Sequence, residues 1–120
     1  MAYKRGSSDV VFDKEDFMER LEGDLELARQ LGEMFLDDSR ETMEVIRDRL
    51  GENDGEGVSR AAHSIKGASA NLSAIRLQGV SAELEKAARE NNLSRAAELF
   101  VLLETELENF VGELERQVLD

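Results

Sequence analysis

The chain has 120 residues, a mass of 13.4 kDa and 41% hydrophobic residues, which suits one globular domain burying roughly two-thirds of its unfolded surface. A balance of 15 Lys and Arg against 27 Asp and Glu, net -12 with a pI near 4.5, argues against general binding to nucleic acid or to an anionic membrane. The absence of Cys and the presence of a single His, His63, exclude disulfides, thiol catalysis and any metal centre that needs thiolates or two imidazoles.

Leu, Ala, Glu and Arg are abundant, Pro and Trp are absent, and no segment alternates as a strand would, so the predicted fold class is all-α. Residues 1–11 read as an N-terminal arm and residues 12–120 as one helical bundle domain. Met1–Asp9 lacks the apolar stretch of a secretory signal, and the longest apolar run is the five residues Leu99–Leu103. Spanning a bilayer takes roughly twenty, so a cytoplasmic, soluble protein with no membrane contact is expected.

Asp13, with Asp16 three residues on, marks the start of a short first helix from about Lys14 to Glu22. After Gly23, Asp24 caps a long second helix whose apolar face carries Leu27, Leu31, Met34, Phe35, Thr42, Ile46 and Leu50, and which ends near Gly51. The stretch Gly51–Gly57 reads as a turn. The third helix is predicted to follow it, with Val58, Ala61, Ala62, Ile65, Ala68 and Leu72 on one face and an end at Asn71 and Ser73. A fourth helix buries Leu77, Val80, Leu84, Ala87 and Ala88 and breaks at Asn91 and Asn92. Ser94 is the expected cap of a fifth, which buries Ala97, Phe100, Leu103, Leu107, Phe110 and Leu114. Four amphipathic helices with short connections pack most simply as an antiparallel up-down-up-down four-helix bundle, with the additional short N-terminal helix across one end. The three-four pattern from Phe100 to Leu114 lasts little more than two heptads, so a monomer is expected rather than a coiled coil.

Between Gly57 and Ala82 there is no Asp or Glu, and Arg60, Lys66 and Arg76 give that window a formal +3 on a chain of net -12, so the remaining residues carry -15. A cationic patch on an acidic body suggests anion handling. At about 100° per residue, His63 points away from the apolar face, together with Ser59, Arg60, Lys66, Gly67 and Ala70. Glycine inside a helix costs about 1 kcal/mol relative to Ala. Since helical side chains lean toward the N-terminus, a bulky residue at Gly67 would cover the surface beside His63, and glycine leaves it open. Ala70 and Ala74 extend this stripe of small side chains. Lys66 lies one turn beyond His63, within reach of an anion on the ring, and phosphate is the obvious anion. An exposed imidazole is largely uncharged near neutral pH, so one ring nitrogen can attack phosphorus without a separate base. Lys66, with help from the hydroxyls of Ser59 or Ser64, would supply the positive field that phosphoryl transfer needs.

The run Ala62–Ala74, AHSIKGASANLSA, resembles the signature of the histidine-containing phosphotransfer (HPt) domain, in which His is followed three and four residues later by Lys and Gly. The resemblance spans about Phe12–Glu115 and includes Phe12, Phe17, Leu21, Gly23-Asp24, Phe35, Leu84-Glu85 and Ala87-Ala88. It implies a helical bundle, a phosphorelay role in two-component signalling, His63 as phosphoacceptor, Lys66 as charge partner and Gly67 as the gap that admits a receiver domain. The partner is then the receiver of a response regulator or hybrid sensor kinase, with no cofactor on this chain and magnesium expected on the receiver. Two positions depart from the family pattern: Ser73, where Gly is common at the turn, and Glu85, where some members carry Gln near the active imidazole. A carboxylate at Glu85 would repel a phosphoryl group yet accept a ring N–H. Arg60, Gln78 and Arg89 are further candidates for docking or for the phosphoryl field.

A Ser-His-Asp hydrolase is disfavoured because the window around His63 lacks carboxylates, and a di-metal carboxylate bundle fails because position 60 is Arg60 and the chain has one His. The alternative is a passive acidic helical adaptor for a basic protein partner, in which His63 is incidental.

Overall fold

The computed structural model describes residues 10–119. Five α-helices, α1 Lys14–Arg20, α2 Leu25–Gly51, α3 Gly55–Asn71, α4 Ile75–Arg89 and α5 Leu93–Leu114, are followed by a π-helical turn, Glu115–Leu119. There is no strand among the described residues. Residues 1–9 of the predicted arm lie outside them. Val10 and Val11 lie against the domain: the Val10 carbonyl accepts the Arg76 N–H at 3.2 Å, and Val11 packs on the core.

The side chains of Asp13, Asp24, Asp54 and Asn92 accept N–H bonds in the first turns of α1, α2, α3 and α5. Asn92 caps α5, where Ser94 was expected. Ala74 cannot cap α4 with its side chain, and the Val10 carbonyl takes one orphan donor instead. The third helix begins at Gly55, inside the stretch expected to be a turn. Gly55 and Gly57 are buried there for close approach: a Cβ on Gly55 would lie 2.8 Å from the Ala88 carbonyl in the last turn of α4, and one on Gly57 2.5 Å from Asp54 Oδ2.

Helix α2 packs beside α3, α3 beside α4, α4 beside α5, and α5 returns to α2. Four of the five Phe form a chain of rings near α1: Phe12 meets Phe17 and Phe110, and Phe110 meets Phe35, the last two contacts being edge-to-face with centroids 5.3 Å apart. Leu27 and Met34, expected inside, are exposed, and Ala28, Gly32, Ser39 and Met43 are buried in their stead. Ala97 is likewise exposed, while Ala96 and Leu99 are buried. Both differences are small rotations of the buried stripe about the helix axis.

Ser73 adopts φ 57°, a left-handed conformation that glycine would take without strain. Its hydroxyl explains the serine. It donates to Asp16 Oδ2 at 2.7 Å and accepts from Arg20, while the Ser73 carbonyl accepts the Asp13 N–H at 2.9 Å. The α3–α4 turn is thereby tied to α1.

Candidate functional site

His63 occupies the middle of α3, with its side chain 66% exposed. Its Nδ1 lies 3.0 Å from Oε2 of Glu85, which projects from the middle of α4 and is 14% exposed. The other carboxylate oxygen, Oε1, accepts from Lys66 Nζ at 2.7 Å, and Arg89 Nη1 stands 3.7 Å from Oε2. One carboxylate is shared by three cationic or potentially cationic groups.

An ionised carboxylate only accepts hydrogen bonds, so in this contact the imidazole proton sits on Nδ1 and the lone pair is left on Nε2. The Lys66 hydrogen bond holds the Glu85 carboxyl below the usual carboxylate range, opposed by burial and reinforced by the bond to His63. A depressed folded-state pKa contributes stability above the ordinary glutamate value, and that contribution is lost as pH falls through the depressed one. The Glu85 carboxyl is therefore expected to titrate below a reference glutamate when followed by carbon NMR; a midpoint at or above the reference would refute this pairing.

Gly67 lies one turn beyond His63, exposed, and a Cβ there would meet nothing within 4 Å. Nothing in the packing of the domain requires glycine at this position, so the open surface beside the ring is what its loss of helix propensity leaves to be explained. Ala70 continues the strip, but Ala74 does not: it is fully buried in the turn before α4.

The remaining candidates separate. Arg60 pairs with Glu56 at 3.3 Å as a largely solvated pair one turn apart. Arg76 turns to the buried Glu106 on α5 at 2.6 Å, away from His63. Thus each cation of the acid-free window faces a carboxylate outside it, and of these only Lys66 shares its carboxylate with the imidazole. Ser64 faces α2, lining a groove of about 300 Å³ with Phe35 and Thr42. Ser59 is half-buried earlier on α3, and half-buried Gln78 makes no side-chain hydrogen bond among the described residues. The Arg76–Glu106 pair was not foreseen: Glu106 lies on the face of α5 that periodicity assigns to the core, and nothing in a single helix marks a buried acid with a partner on another.

The family described as Hpt domain matches residues 30–113, more than half of the chain. The chain belongs to the Hpt domain family, whose members are phosphotransfer carriers acting with receiver domains in two-component phosphorelays. Among solved structures it is similar to histidine-containing phosphotransfer protein B (HptB) from Pseudomonas aeruginosa PAO1, with a TM-score of 0.84 and 28% identity over 89% of this chain and 93% of that one. No curated protein matches it. Among the described residues, no helix is long and apolar enough to cross a membrane.

Proposed function

We propose that His63 is the phosphoacceptor and that Nε2 is its reacting atom. The observation that supports this best is the engagement of Nδ1 by Glu85, which leaves Nε2 as the exposed nucleophile next to the open surface at Gly67. In transfer from a receiver, an N–P bond forms at Nε2 as the O–P bond of the aspartyl phosphate breaks, and the aspartate carboxylate leaves. The reverse exchange on a second receiver returns the phosphoryl group to an oxygen.

Lys66 has three N–H donors, so it can keep Glu85 and still offer a hydrogen to a phosphoryl oxygen. Glu85 balances its own negative charge against Lys66, His63 and Arg89, which answers the repulsion expected of a carboxylate at this position. Magnesium belongs on the receiver, and this chain acts as a carrier without kinase activity of its own. The scaffold of this reading is an antiparallel up-down-up-down bundle working as a cytoplasmic monomer.

Intact mass after incubation with a phosphorylated receiver tests the proposal. One acid-labile phosphoryl group is expected; no adduct with any of several receivers would return the weight to an acidic adaptor. Replacing Lys66 with Ala is expected to slow transfer about 10²-fold, as removal of one preorganised donor does, with an unchanged circular dichroism spectrum. Equal single-turnover rates for the two proteins would remove Lys66 from the mechanism.

A further inference from the structure

The helices meet in cyclic order, so the seam between α2 and α5 lies across the bundle from the α3–α4 seam that carries His63. We propose that this opposite seam is a second docking surface, which takes an amphipathic helix of a partner protein bearing a short apolar stripe flanked by Lys or Arg. The inference does not depend on which residue accepts phosphate.

The seam holds an open groove of about 720 Å³ with Met43, Leu107 and Val111 among its lining. One wall runs from Glu104 on α5 to Glu115 at the start of the π-helical turn, about 17 Å at the helical rise, the length of roughly three turns of a docked helix. Gly112 lies in that wall, and a Cβ on it would meet nothing within 4 Å. As at Gly67, a glycine weakens a helix whose packing does not require it and leaves a neighbouring surface open.

Charge selects the occupant. Arg47 is engaged by Glu44 at 3.1 Å and Glu104 at 2.8 Å and sits over the Phe100 ring, so it adds little free positive charge to the rim. Glu41, Glu108 and Glu115 make no ion pair among the described residues, against one unpaired cation, Arg40. A second copy of this chain, itself net -12, would bring like charge to an acidic rim and is disfavoured. A helix with basic flanks matches both the floor and the rim.

The test uses the full chain and a synthetic helical peptide with Leu at positions one, four and eight and Lys on either side, followed by amide chemical shifts. Perturbations are expected around Met43, Leu107, Val111 and Gly112, with binding weakened about tenfold or more by Gly112→Leu and by Glu108→Lys. Gly112→Leu is expected to leave phosphoryl transfer unchanged, and a domain with peptide bound should still be phosphorylated. Absence of binding, shifts centred on α3 and α4, or equal affinity for the Gly112→Leu protein would each overturn the proposal. So would a dimer of this chain that forms through the groove and is lost in that variant.

Discussion

Replacing His63 with Gln is expected to lower phosphoryl uptake from a receiver by at least about 10³-fold, to the background of the assay, because the amide offers no nucleophilic nitrogen. The neighbouring hydroxyl cannot substitute for it: Ser64 lines the groove toward α2. The fold should persist, since the His63 side chain is 66% exposed and the glutamine amide can still donate to Glu85; stability should change by less than about 1 kcal/mol. Transfer and thermal unfolding measured on one preparation separate the two effects. Substantial acid-labile phosphorylation of the His63→Gln protein would place the acceptor elsewhere and remove the central assignment.

Gly67→Gln is expected to have the second-largest effect and to act without disturbing either the nucleophile or its carboxylate. A glutamine there would lean toward His63 and stand in the path of a docking receiver, and a loss of about 10²-fold in transfer is expected from a side chain wedged into the middle of a protein interface. Nothing lies within 4 Å of the added Cβ, so the domain itself should gain up to about 1 kcal/mol from better helix propensity. Gly67→Ala, which adds only the methyl group, should share the gain in stability and retain most of the transfer. A more stable protein that transfers poorly is the signature of a steric gate, whereas undiminished transfer by Gly67→Gln would refute the role given to this glycine.

Much of the site was legible because its geometry is local. His63, Lys66 and Gly67 are separated by three and four residues on one helix, and helical periodicity alone places them together on an outward face. Glu85 was noticeable as a departure from a family pattern, but its role depends on the register between α3 and α4, which packing across two helices decides. The acid-free window was real in the sequence yet misleading in space: Arg60 and Arg76 meet Glu56 and Glu106, and a charge count along the chain cannot see those partners.

The fold shows the same division. The five helices of the described residues and most of their caps follow from local chemistry, with Asp13 and Asp24 as caps and Asn53 and Asn91 in left-handed turns at φ 57° and 59°. Gly55 was misplaced because a glycine that ends a helix and one that admits a neighbouring backbone look alike in sequence, and Gly57 because its close neighbours are the side chains of Asp54 and Arg49. In the first half of the 27-residue α2 the expected stripe lies about one residue off the buried one, which is how Leu27 and Met34 were assigned inward while Ala28 and Gly32 hold the core; further along, Phe35 and Ile46 are buried as expected.

The ties made by Ser73 bear on how this domain opens. At seven residues, α1 is too short to remain helical in water by itself, so it exists as a helix only while docked. Its Phe17 ring packs on Phe12, while the Asp16 and Arg20 contacts to Ser73 and the Asp13 N–H bond to the Ser73 carbonyl converge on the turn joining the two helices that carry His63 and Glu85. Undocking of α1 would release the Asp16, Arg20 and Asp13 bonds to Ser73 together, so the first described helix and that turn are coupled through one residue.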